Sequence, residues 1–207
     1  MWDAQEQYWK GHEWNNGGSQ PTLNQGLIGA TSSSDYPQIS TDLRYYNKGN
    51  GSPFSATKSC TIAPNVNELV WYADKGDPRW DADELWSAMG HLYKGGMWFL
   101  KKAYISGYTA NNAPDGTDWR TGYNDQNFTA SNILPSANDV NKYFYLPALG
   151  YYGSGRLYNV GVGGFYWASS AVPGVSNAAY GIGFVGSVIG VSTSGLRDNA
   201  SRVQAFE

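Results

Sequence analysis

From Leu157 to Leu196 the chain carries no Asp, Glu, Lys or Arg. Such a run reads as buried sheet, and without clustered Lys and Arg a nucleic-acid footprint is not expected. Charge is scarce throughout, at 15% of residues against ~25% in an ordinary domain. With a net charge of −3 and no basic cluster, no nucleic-acid partner is expected. Cysteine is nearly missing: Cys60 alone excludes an intrachain disulfide and any multi-cysteine zinc site. In "ATKSC" it reads as a small buried hydrophobe rather than a nucleophile. No stretch approaches ~20 uninterrupted apolar residues, so neither a membrane helix nor direct membrane insertion is expected. No charged start followed by an apolar run reads as a signal peptide. The motifs GxSxG, HExxH, Walker loop and CxxC do not occur. The two histidines, His12 and His91, lie far apart and read as surface or capping residues. No catalytic residue, metal or cofactor is expected.

What is present is glycine and aromatic side chain: 26 glycines in 207 residues, with 15% aromatics. That mixture suits a loop-rich β protein with tight turns. Residues 1–60, punctuated by "NNGG", "TSSSDYP" and "NKGNGSP", read as an irregular β-rich N-terminal extension, and 61–207 as the main domain. In "APNVNELVWYADKG", Asn65 stands at an N-cap with Glu68 three residues on. Val66, Leu69, Val70 and Ala73 recur at helical spacing, and Gly76 closes the helix. "DADELWSAMGHLY" predicts a second helix, capped by Asp81 or Asp83 and burying Leu85, Trp86, Met89 and Leu92 or Tyr93. "MWFLKKAYISGY" predicts a strand whose lysines mark an edge or solvent face. Residues 109–132 predict a long loop anchored by Trp119 and Phe128. "PSANDVNKYFYLPALG" predicts a third short helix capped by Ser136, then extended chain. After Gly150 comes a meander of short strands, "RLYNVGVGGFYWASS", "NAAYGIGF" and "SVIGVS", closing on "RVQAFE". The fold class is therefore α+β, short antiparallel strands with two or three helices.

Within "AAYGIGFVGSVIGVSTSGLRDNASRV" the period is two. Tyr180, Ile182 and Phe184 fall on one face, Gly181, Gly183 and Val185 on the other. Trp167, Val188, Val203 and Phe206 join the bulky core face. Among carboxylates, Asp74, Asp77, Asp81, Asp83 and Glu84 read as capping and solvated-turn residues. A glycosidase needs two carboxylates facing across a cleft. "DGTDW" and "GYNDQN" are oxygen-rich but lack EF-hand spacing, and read as Asx-rich loops.

The segments "GGMWFLKKAYISGY", "YFYLPALGYYGSGRLYNVGVGGFYWASS", "AYGIGF" and "VQAFE" resemble the FISUMP-type branch of C-type-lectin-fold domains. More closely, they resemble the variable proteins diversified by retroelements in gut bacteria and their phages. The resemblance covers Cys60 to the C-terminus and is strongest from Tyr143. It implies a C-type lectin fold whose variable region, about 158–207, alternates scaffold and varied positions. Tyr166, Trp167, Ser169, Ser170, Tyr180, Phe184, Arg197, Val203, Ala205 and Phe206 match the scaffold. Phe165, Val172, Val175, Gly181, Gly183, Val185, Ile189, Ser194, Gly195, Leu196, Asp198, Asn199 and Ser201 fall where the family varies, and are the implied ligand-binding residues. The implied role is non-enzymatic recognition of a cell-surface protein or glycan, extracellular, on a bacterial cell surface or a virion tail, with a homo-oligomer compatible. Relatives often carry "RLP" and "VRAF" where this chain has "YLP" and "VQAF". The calcium-linked sugar motif "EPN" or "QPD" is absent, and the cysteine pair of the formylglycine-generating oxidases of the same fold is missing. The alternatives are a structural subunit of a pilus or phage tail, and a carboxylate-dependent glycoside hydrolase around Asp74 to Glu84.

Overall fold

The helix at the start of the domain forms where local chemistry places it. A computed structural model describes residues 59–88, 91–153, 156–197, 199 and 201–207. The N-terminal extension, His12 and Asp198 lie outside the described residues, as do the side chains of His91 and Ser194. Helix α1 spans Val66–Lys75. Glu68 N donates to Asn65 Oδ1 at 3.1 Å, and Asn65 N donates to Glu68 Oε2 at 2.7 Å, the reciprocal bonds of a capping box. Its expected apolar stripe, Val66, Leu69, Val70 and Ala73, is buried throughout. A further donor at the helix start is satisfied from afar: Val66 N donates to Ser170 Oγ at 3.0 Å.

The second predicted helix is instead an antiparallel hairpin, β1 (Arg79–Ala88) and β2 (His91–Leu100). The aspartates that suggested helix caps serve a bulge. Asp81 pairs with Gly96 and Leu85 with Lys94, which leaves three residues opposite Gly95 alone. Asp81, 6% exposed, accepts from Asp83 N and Glu84 N through Oδ1 (3.0 and 2.9 Å) and from Trp98 Nε1 through Oδ2 (3.1 Å). The bulge frees backbone donors and the carboxylate satisfies them. Leu85, expected in the core, is exposed; of Leu92 and Tyr93, expected there as alternatives, Tyr93 is the buried one and stacks on Trp86 at 4.8 Å, and Met89 lies outside the described residues.

Strand β2 ends at Leu100, before the lysines, and is the middle strand of a sheet ordered β1, β2, β4, where β4 is Tyr143–Pro147. Of the expected edge or solvent face the lysines mark no edge: they follow the strand, and Lys102 is exposed in a 3-10 turn. In the 109–132 segment Trp119 is buried as an anchor, and Asn67 holds the loop. Asn67 Nδ2 donates to Asn111 O (2.8 Å) and Asp118 Oδ1 (2.9 Å), and its Oδ1 accepts from Trp119 N (2.9 Å). The segment also supplies an unforeseen strand, β3 (Gln126–Thr129), which carries Phe128. The third predicted helix is a 3-10 turn, Val140–Lys142, so α1 is the one α-helix among the described residues. The fold is α+β with antiparallel sheets.

After β4 come β5 (Tyr151–Gly153) and β6 (Arg156–Tyr158), a two-stranded ribbon. Then β7 (Gly163–Ala171), β8 (Ala178–Val185) and β9 (Val188–Leu196) join β3 in a four-stranded sheet ordered β3, β9, β8, β7. "RVQAFE" is no strand; it touches β7 through a single parallel bridge, Tyr166 to Arg202. The core sits where α1, the three-stranded sheet and the inner face of the four-stranded sheet meet. Phe206 seals it, with ring centroids 5.6 Å from Tyr72, 5.5 Å from Phe144 and 6.0 Å from Tyr166. Cys60, expected buried, is exposed in a 3-10 turn. Among the described residues no helix is long and apolar enough to cross a membrane.

Candidate ligand-binding face

Alternation along β8 divides the four-stranded sheet as the sequence predicts. Tyr180, Ile182 and Phe184 are at most 1% exposed, while Gly181, Gly183 and Val185 face outward. Strand β9 has the opposite phase from the predicted one. Ile189 is fully buried, and Val188, expected in the core, is 55% exposed. A one-residue slip exchanges the faces of a strand. The signal for the true phase lies in "VGSV". A two-residue loop, Gly186 and Ser187, joins Val185 to Val188 as direct partners, so both must face the same way. Gly186 takes the left-handed conformation (φ 53°) that such a loop needs and that other residues rarely adopt.

Further along β9 the phase changes again. Gly181 pairs with Ser192 but Ala179 with Gly195, a bulge that brings both Ser192 and Gly195 to the outer face. Cross-strand rows on that face follow from the register. Asn127, Gly190, Gly183 and Phe165 lie side by side across β3, β9, β8 and β7. Flanking rows are Val188 with Val185, and Ser192 with Gly181 and Trp167.

Three glycines in the centre of a sheet leave no side chains above the backbone. The result is a trough of about 460 Å³ floored by Gly181, Gly183 and Gly190. One wall is aromatic: the Tyr151 ring stands edge-on to Phe165 at 4.8 Å and stacks on Tyr158 at 5.1 Å. Burial chiefly, with Tyr158 beside it, raises the Tyr151 phenol above its ordinary pKa. Asn127, Asn159, Asn199, Ser192 and Ser201 also line the space. No Asp, Glu, Lys or Arg belongs to its described lining.

The glycines differ in what holds them small. A Cβ at Gly183 would lie 2.9 Å from Phe165 Cδ1, one at Gly181 2.8 Å from the Tyr166 carbonyl oxygen, and one at Gly195 inside the Trp167 ring. At Gly190 the nearest atom is Asn127 Oδ1 at 3.1 Å, the tip of an exposed side chain. Trp167 is on the outer face yet 9% exposed, covered by Ala63 and Val203 in a small second cluster.

Of the implied ligand-binding residues, Phe165, Gly181, Gly183, Val185, Gly195, Asn199 and Ser201 line the trough. Leu196 is exposed at the end of β9, outside that lining. Val172 and Ile189, at 3% and 0% exposure, belong to the core, and Val175 packs half-buried against it; none of these three presents its side chain to the trough. Gly190, Ser192, Asn127, Asn159 and Tyr151 were missed. The first two follow from the correct phase of β9; the others arrive from distant segments, and no local signal announces them. Among implied scaffold residues, Tyr166, Trp167, Tyr180, Phe184, Val203 and Phe206 are buried. Arg197 Nε donates to Ala178 O at 2.8 Å, and Ser169 N to Pro64 O at 2.9 Å. Ala205 is exposed. Burial foremost raises the Tyr180 phenol, which donates to Gly122 O at 2.7 Å and accepts from Asn124 N at 3.1 Å, tying β8 to the loop.

Several carboxylates among the described residues elsewhere are engaged. Partial burial works against the charged form of Asp77, but hydrogen bonds from Arg79 Nη2 (2.7 Å) and Tyr143 outweigh it and hold the carboxyl below its usual range. Asp83 pairs with Lys94 at 2.8 Å and Asp74 with Lys75 at 3.2 Å. In the Asx-rich loops, Asp118 takes hydrogen bonds from Arg120 and Asn67, which push its pKa down, Asp115 Oδ1 accepts from Thr117 N, and Asp125 Oδ1 accepts from Thr193 N at 2.6 Å. No protein-family model, curated protein or solved structure matches the chain.

Proposed function

We propose that the chain is a non-enzymatic recognition domain of C-type-lectin-fold type, which presents the outer face of β7, β8 and β9 to a ligand on a cell surface, from a bacterial envelope or a virion tail. One observation carries the reading. Seven positions that the resemblance marks as varied, among them Phe165, Gly183 and Asn199, line a single trough. The scaffold positions Tyr180 and Phe184 lie behind them at the core. A rigid sheet with the variable side chains on one face limits the entropy lost on binding. Of the carboxylates from Asp74 to Glu84, Asp74, Asp77 and Asp83 pair with a neighbouring cation and Asp81 caps backbone donors, which gives the hydrolase alternative no support from those four.

Sequencing the 3′ end of this gene across its source community, together with a search for a template repeat and reverse transcriptase nearby, tests the reading. Substitutions concentrated at Phe165, Gly190, Ser192, Asn199 and Ser201, with Ile189, Tyr180 and Phe206 constant, are expected. Variation spread evenly over both faces, or none, would overturn it.

A further inference from the structure

We propose that the trough binds an uncharged saccharide, with a sugar ring lying over the glycine floor beside Phe165 and Tyr151 and its hydroxyls meeting the amides of Asn127, Asn159 and Asn199. The inference rests on the recognition reading above and names its ligand class.

Three observations converge. The first is size. A protein–protein interface of standard size covers ~800 Å² of each surface, whereas sites for small ligands measure ~300–1,000 Å³. At about 460 Å³ the trough belongs with the latter. The second is charge. Among the described lining residues there is no carboxylate, lysine or arginine, so from these residues a sialylated, phosphorylated or sulfated ligand would gain no counter-charge for the hydration it sheds.

The third is the pairing of chemistries. A pyranose has an apolar face of C–H groups and a rim of hydroxyls that both donate and accept. An aromatic wall covers the first, and an amide, with two donors and a two-lone-pair oxygen, matches the second. Asn127, Asn159 and Asn199 make no side-chain hydrogen bond to any described residue, so their capacity is uncommitted. A peptide's aromatic anchor would satisfy the wall but leave these amides unmatched. The described lining residues also supply no acidic oxygens with which a bridging cation would hold a sugar.

The full chain is applied to an immobilised panel of neutral oligosaccharides alongside sialylated and sulfated ones, and to a bacterial surface-protein preparation before and after enzymatic deglycosylation. Gly190→Val fills the floor at a position where an added Cβ meets only the tip of Asn127; Asn127→Ala, at an exposed site, is the second variant. The expected result is retention on neutral glycans and on untreated surface protein only, with both variants weakening it by about tenfold or more at unchanged melting temperature. Preference for charged glycans, indifference to both variants, or no glycan retained overturns the saccharide assignment. Retention of deglycosylated protein that either variant abolishes also overturns it, while leaving the recognition reading in place. If no preparation is retained, both fall.

Discussion

The two faces of the β3, β9, β8, β7 sheet are made of the same strands and obey different rules. Inward, Phe128, Ile189 and Phe184 form a row, with Val191, Ile182 and Tyr166 beside it. Except for half-buried Phe128, all are at most 2% exposed. Outward, the matching row is Asn127, Gly190, Gly183 and Phe165, which leaves a hollow. The inner face derives its energy from burying large side chains, about 1.5–3 kcal/mol each. The outer face derives its shape from omitting them. Stability and surface shape are thus set by different residues of the same strands.

The sharpest test of that division uses adjacent residues of β9. Ile189→Ala should cost about 2–5 kcal/mol in urea unfolding, and Val188→Ala less than about 0.5 kcal/mol. Equal costs would mean that the phase of β9 is wrong. Gly195→Val comes next. It drives a side chain into the Trp167 ring and should cost about 1–3 kcal/mol, showing that part of the outer face is structural. A neutral result would extend the open surface across the bulge. The smallest effect lies outside the sheet. Burial first, then the hydrogen bond to Asp77, pushes the Tyr143 phenol up to about 12. The phenol of an unfolded chain ionises near ~10, so the stability it contributes is present below pH ~10 and is lost as pH rises toward 12. Tyr143→Phe should flatten the alkaline limb of a thermal-melt series over that window, and an unchanged limb would contradict it.

What the sequence disclosed depended on how local the cause was. Helix α1 was legible because Asn65 and Glu68 complete its cap within four residues. Strand β8 was legible because its bulky and small residues alternate. The β1/β2 hairpin was misread because Asp81, Asp83 and Glu84 carry the spacing of a helix start, while the actual task of the Asp81 carboxylate, satisfying the bulge and Trp98, needs a partner strand to exist. The phase of β9 was misread because Val188 and Ile189 are equally apolar; only the length of the preceding loop separates them. The trough was half legible. Its floor follows from glycine on alternate positions, but Tyr151 and Asn127 reach it from other segments through tertiary pairing.

The rings over the glycines limit what this surface can become. Gly183 is locked by Phe165 and Gly195 by Trp167, so neither position can accept a new side chain unless its aromatic partner changes in the same step. A process that alters codons independently would find most single changes there unproductive, and would draw its repertoire from Gly190, Ser192, Val185, Asn199 and Ser201. The combinatorial capacity of the face is therefore set by the pairing of ring with glycine, more than by the number of residues exposed to solvent.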